Sequence, residues 1–116
     1  MTNLLNLKMF KNNNQIIDKN NVAYSKKFDK ILFESDNNKY ELECKLNDYI
    51  LTKENDESII NIIFKDNPKC SIYLKEYNLN LDVIVEYYKV LTNDNKYTFI
   101  YQLETDDEQT TIEIEL

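Results

Sequence analysis

From Asn78 to Leu116 the sequence alternates apolar with polar residues at a period of two, in three runs separated by polar clusters that contain no proline. Successive side chains of an extended chain point to opposite faces, so such a run can hide its apolar residues together only as a strand. Leu79, Leu81, Val83, Val85 and Tyr87 share one phase; Tyr97, Phe99, Tyr101 and Leu103 form the next set, and Ile112, Ile114 and Leu116 the last. Tyr88 and Val90 fall out of phase with Tyr87, and an extra residue in a bulge near Tyr87-Tyr88 is the expected cause.

The same pattern reaches upstream. Leu5, Leu7 and Met9 make a first strand, and KILFE (Lys30 to Glu34) with KYELECKL (Lys39 to Leu46) flanks a turn to make a hairpin. Tyr49 to Lys53 and Lys69 to Lys75 read as strands. Ser58 to Lys65 is apolar on both phases, with Ile60, Ile62 and Phe64 on one and Ile59 and Ile63 on the other, as in a central or doubly covered strand. Gln15 to Ser25 is broken by Asp18 to Asn21 and reads as two short strands with a turn, or as an irregular connection. The total is eight to ten strands with no helical stripe. An all-β antiparallel barrel or sandwich within one domain, residues 1–116, is the expected architecture.

Composition matters here through what is missing. The chain has no glycine, histidine, arginine or tryptophan and one proline. Without glycine there is no phosphate-cradling loop, without histidine no Ser-His or Cys-His pair and no commonest zinc ligand, and without arginine no bidentate fork for carboxylate or phosphate. No enzyme and no cofactor are expected. Abundant Lys, Asn and Ile fit an AT-rich genome. Tight turns must take their positive-φ positions from Asn and Asp, and Asn12 to Asn14, Asp36 to Asn38 and Asn93 to Asn95 suit that role.

Cys44 and Cys70 both sit on apolar phases, which reads more readily as small buried core residues than as a disulfide, the minor alternative. The start of the chain, where Asn6 and Lys8 interrupt Leu4, Leu5, Leu7, Met9 and Phe10, is neither a signal core nor a membrane span, so a cytoplasmic protein with no membrane partner is expected.

The order IINIIF, KCSIYL, NLNLDVIVEYYKVL, KYTFIYQLE and TTIEIEL resembles the C-terminal half of the YwiB-like family of uncharacterised bacterial proteins. Tyr101, Gln102 and Leu103 match the family's Tyr-x-Leu element, and Ile112, Glu113, Ile114, Glu115 and Leu116 match its terminal strand. The family usually carries a glycine before the long strand, where this chain has Tyr77-Asn78. The resemblance implies a single antiparallel calycin/lipocalin-like β-barrel and brings no established activity.

Two readings of function follow. A barrel of eight or more strands can leave an interior cavity, which Leu81, Tyr97, Phe99 and Tyr101 would line for a small apolar ligand. The wider aromatic set, Tyr40, Phe64, Tyr73 and Tyr87, is expected to form core and wall. On this reading the chain is a non-enzymatic ligand-binding or protein-interaction module.

The second reading starts from charge. Net charge is −7, with +4 in residues 1–33 and −11 in residues 34–116. An acidic face carrying Glu104, Asp106, Asp107, Glu108, Glu113 and Glu115 could imitate nucleic-acid phosphates and block a nucleic-acid enzyme. Direct nucleic-acid binding is not expected of so acidic a chain. The acids of residues 105–109 with Glu54, Asp56 and Glu57 lack the spacing of a calcium loop, and no metal is expected. Glu113 and Glu115 share one strand face and read as surface residues more readily than as an acid-base pair.

Overall fold

A computed structural model describes residues 3–116, and every regular element among them is a strand. In chain order these are β1 (Asn3–Lys11), β2 (Asn14–Lys27), β3 (Lys30–Ser35), β4 (Asn38–Lys45), β5 (Asp48–Glu54), β6 (Ser58–Phe64), β7 (Lys69–Leu74), β8 (Leu79–Val83), β9 (Val85–Asn93), β10 (Lys96–Leu103) and β11 (Thr110–Glu115). They form one eleven-stranded sheet in the order β8-β7-β6-β5-β4-β3-β2-β1-β11-β10-β9. The all-β antiparallel class read from the alternation is therefore present, with eleven strands where eight to ten were expected. The additional strand arises where the run from Asn78 to Leu91 divides at Ile84. No helix among the described residues is long and apolar enough to cross a membrane, a statement that does not extend to strands.

Packing divides the chain into two compact units, Met1–Ala23 with Val85–Leu116, and Tyr24–Ile84. The second unit is an uninterrupted meander. One residue from each of its strands β3 to β8 stands in register across the sheet: Ile31, Leu42, Leu51, Ile62, Cys70 and Val83. All six are buried. Burial of each aliphatic side chain contributes about 1.5–3 kcal/mol, so this row is the unit's main source of stability. Beside it Phe33 and Tyr40 face each other in register and stack, ring centroids 4.8 Å apart and 13° from parallel. Strand β6 is central, as expected, but its second apolar face is only half-buried: Ile59 meets Tyr73 and Ile63 meets Ile50 across the neighbouring strands.

The first unit packs Leu5, Leu7 and Met9 of β1 with Phe99 of β10 and Ile112 and Ile114 of β11, all buried. Met9, Ile112, Phe99 and Val90 form one register row, and Leu7, Ile114, Tyr97 and Thr92 the next. The bulge lies close to its expected place: Gln102 pairs with Tyr87 and Leu103 with Val85, so Glu86 is the extra residue. It leaves Val85 and Tyr88 half-buried and turns Tyr87 out to 46% exposure. Tyr87 therefore stands outside the core, and the half-buried Tyr88 takes its phase. Tyr73 is half-buried on the face opposite Cys70, and it donates its hydroxyl proton to Asn78 Oδ1.

β2 corrects another expectation. In place of two short strands or an irregular connection it is one strand of 14 residues, in which Asn21 has a φ of 60°. Asn21 N–H donates to Asn6 Oδ1 at 3.2 Å. The left-handed residue shifts the side-chain phase by one, so the half-buried positions pass from Ile17 to Val22 and Tyr24. That shift is what makes the segment look broken in the sequence.

Turns confirm the role of Asn and Asp. Asn12, Asp36, Asn37 and Asp94 take positive φ in two-residue hairpin loops, and the consecutive pair Asp36-Asn37 joins β3 to β4 as primed turns require. Asn78 has a φ of 48°, the conformation a glycine would hold at the turn before the long strand. Two further positions, Phe28 (φ 55°) and Leu46 (φ 26°), have neither side-chain chemistry nor size to favour this region.

Candidate functional site

The four expected cavity residues fall in both units. Tyr97, Phe99 and Tyr101 stand on one face of β10, where Phe99 is buried and the two tyrosines half-buried. Leu81 stands on β8 of the other unit, 40% exposed. The tyrosine row has a polar end: Tyr101 is in register with Thr110, and Thr110 with Lys11. Lys11 continues the phase of Leu5, Leu7 and Met9, and its Nζ turns off the end of that face to donate to Asp106 Oδ2 and Thr110 Oγ1, each at 2.8 Å.

In the second unit a row next to the buried one changes character along its length. Tyr24, Phe33, Tyr40, Lys53, Ile60, Ile72 and Leu81 are successive register partners from β2 to β8. Phe33 and Tyr40 are buried, Lys53, Ile60 and Ile72 half-buried, and Leu81 exposed. An apolar strip thus opens from the core toward β8, with a lysine among its residues. Tyr40 is only 2% exposed, yet its hydroxyl has no hydrogen-bond partner among the described residues. Burial pushes its pKa up to about 12, with Asp36 adding to the effect, so the phenol stays a neutral donor. An unpartnered hydroxyl in an apolar setting costs about 1–3 kcal/mol, which makes it the feature of this face that packing alone does not explain.

Sequence reasoning placed Tyr40 in the core but assigned it no polar role, and it missed Lys53. The signal for Lys53 was present: it shares its phase with Tyr49 and Leu51, and a lysine on the apolar phase of a strand is an exception to be accounted for. The expected burial of both cysteines holds for Cys70, whose thiol is pushed up to about 11 by burial, while Cys44 is half-buried. Neither forms a disulfide.

Lysines stand beside three of the six acids of the expected interaction face, Asp106, Glu113 and Glu115. Asp106 is bound by Lys11, and that hydrogen bond, aided by the Glu108 N–H, holds its carboxyl below the usual range. Glu108 accepts from Asn12 Nδ2 at 3.4 Å. Glu113 lies opposite Lys8 on β1, and Glu115 opposite Lys96 on β10, with Lys96 Nζ 3.7 Å from Glu113. Glu104, Asp107 and Glu115 are exposed. Asn12 N–H donates to the Gln109 carbonyl at 2.7 Å and Gln109 N–H returns to Asn12 Oδ1 at 3.1 Å, tying this acidic loop to the β1–β2 turn.

A small cleft in the second unit, about 90 Å³, is lined by Asn37, Lys39, Glu54, Asn55, Asp56 and Lys75. Several of its lining groups are already bonded within the chain. Lys75 Nζ meets Glu54 Oε2 at 2.8 Å and lowers the Glu54 pKa, and Asn55 Oδ1 accepts from the N–H groups of Glu57 and Ser58. Among the described residues no three acids or cysteines are grouped to hold a metal.

No family model and no curated protein matches the chain. In structure it is similar to the ywiB protein from Bacillus subtilis, with a TM-score of 0.52 over 96% of this chain and 87% of that one, at 14% identity. The resemblance read from strand order and from Tyr101, Gln102 and Leu103 is met at the level of fold, and the barrel class expected from it is the class of this fold.

Proposed function

We propose that this chain, on a fold shared with ywiB, is a non-enzymatic binding module for a small, mainly apolar ligand. The apolar strip Ile60, Ile72 and Leu81 would hold the ligand's body, and Tyr40 would donate a hydrogen bond to an acceptor on it. The observation carrying this reading is the buried Tyr40 hydroxyl without a partner among the described residues. Pockets for small ligands pair an apolar lining with a few polar groups that orient the guest, and Tyr40 and Lys53 fit the second role. The absence of histidine, arginine and glycine supports a non-enzymatic role, and two cysteines outside any disulfide are compatible with the cytoplasm.

The competing reading, an acidic inhibitor imitating nucleic acid, has less support because Lys8, Lys11 and Lys96 stand among its acids. Native mass spectrometry of protein purified from its source separates the two. A retained small molecule, lost from Tyr40→Phe, is expected. Recovery without any small molecule but in complex with a nucleic-acid enzyme would overturn the proposal.

A further inference from the structure

Phe28 and Leu46 break the rule that governs the chain's other left-handed residues. At every other described positive-φ position stands an Asn or Asp, which tolerates that region. Here stand two large apolar residues whose side chains are fully exposed, at 100% and 103%. Both backbone conformation and solvation favour a polar residue at these tips, and neither side chain gains anything in the folded chain. An uncompensated outlier of this kind is a reason to look for a function.

The two tips are neighbours. Phe28 sits in the loop between β2 and β3, Leu46 in the loop between β4 and β5, and Cys44 N–H donates to the Asp29 carbonyl at 2.9 Å, joining the bases of the loops. Alternate turns of an antiparallel meander lie at the same end, so the β6–β7 loop is there too. Charge is sorted between the two ends of this unit. Across residues 26–31, 44–49 and 64–69 there are six lysines (26, 27, 30, 45, 65 and 69) against Asp29, Asp48 and Asp66, with Glu43 just behind at 3.7 Å from Lys45. At the opposite end, residues 34–39, 53–58 and 73–78 hold three lysines against six acids.

We propose that this end docks on an anionic lipid bilayer, with Phe28 and Leu46 entering the boundary between headgroups and acyl chains and the surrounding lysines meeting lipid phosphates. Apolar side chains projecting from a lysine-rich rim match the two components of interfacial binding, apolar burial and attraction to anionic lipid. The acidic opposite end would be repelled, which fixes the orientation. The sequence-based expectation of no membrane partner concerned spanning segments, and docking of this kind needs none. It is independent of the ligand reading, since none of these residues lines the Tyr40 strip.

The test is sedimentation of the full chain with vesicles of phosphatidylcholine alone or with about one-third phosphatidylserine. Wild type is expected to bind the mixed vesicles, to release as salt rises, and to bind at least tenfold less tightly as Phe28→Asn/Leu46→Asn. Asparagine suits both backbone positions, so the variant keeps its fold, as a thermal melt will verify. Failure of wild type to bind the mixed vesicles, or equal binding by the variant, would overturn the proposal. So would a self-association that the variant abolishes without any vesicle binding by wild type, which would assign the tips to a second copy of the chain.

Discussion

Replacing Tyr40 by Phe should make the protein more stable. The substitution removes one oxygen from a side chain that is 2% exposed and keeps the ring that stacks on Phe33 at 4.8 Å. No hydrogen bond to a described residue is lost, because the hydroxyl makes none. What is recovered is the desolvation of an unpartnered hydroxyl, about 1–3 kcal/mol, less a small loss of contact where the oxygen was. A net gain of about 1 kcal/mol corresponds to a rise in Tm of roughly 4 °C for a chain of this length. Urea titration and calorimetry of ligand-free protein measure it directly. A Tm lowered by the substitution would show that the hydroxyl has a partner after all, and the argument for a ligand at this point would go with it. Stability gained by deleting a polar group, together with ligand lost, is the usual mark of a binding site kept at the expense of packing.

The same tyrosine sets an alkaline signature. With its folded pKa raised to about 12 from 10, its contribution is complete below pH 10 and lost as pH rises toward 12, so wild type should weaken in that window more steeply than Tyr40→Phe in parallel urea melts. Asp106 works in the opposite sense: its lowered pKa adds stability above the unfolded carboxyl value, lost as pH falls through the folded one. Lys11→Met should reduce that acid dependence, leaving the part due to the Glu108 N–H, at a cost of no more than about 1 kcal/mol, since both groups are one-third exposed. Leu46→Asn should raise stability by about 0.5–1 kcal/mol through relief at a φ of 26°, read as an upward shift in Tm. An aromatic disulfide reagent should titrate Cys44 in the native protein and Cys70 only on unfolding, because Cys70 is 3% exposed and its thiol pKa is pushed up. Equal rates would refute that ordering.

How legible the fold was depended on whether a strand kept its phase. β4, β10 and β11 alternate without interruption, and Tyr40, Leu42, Phe99, Ile112 and Ile114 are buried as the alternation requires. Where one residue breaks the count, the letters are harder to read. The phase change near Tyr87-Tyr88 announces the bulge whose extra residue is Glu86, but Asn21 in β2 shifts the phase with no compositional mark that separates a bulge from a turn. The shift at Glu86 moved Tyr87 outward and made Tyr88 its replacement. The candidate site was less legible for a different reason. Whether a hydroxyl finds a partner depends on which groups the register brings opposite it, and for Tyr40 these are Phe33 and Lys53, residues 7 and 13 positions away. Likewise the lysines flanking Asp106, Glu113 and Glu115 lie on β1 and β10, so the acidic run appears continuous only along the chain.

The strand order also has a consequence for how the chain folds. From β3 to β8 every partner is the next strand in sequence, so each hairpin can close a short loop before the next begins. β1 and β11 are different: Asn6 pairs with Glu115, at the far end of the chain. Such a ladder forms at the highest loop-closure cost in the molecule, after the local hairpins have shortened the path between the ends. Core substitutions in β4 and β5 should therefore slow refolding, while those in β11 should chiefly speed unfolding. A nascent chain faces the same order in time, because β1 must wait until residues 110–115 are made before its β11 partner exists.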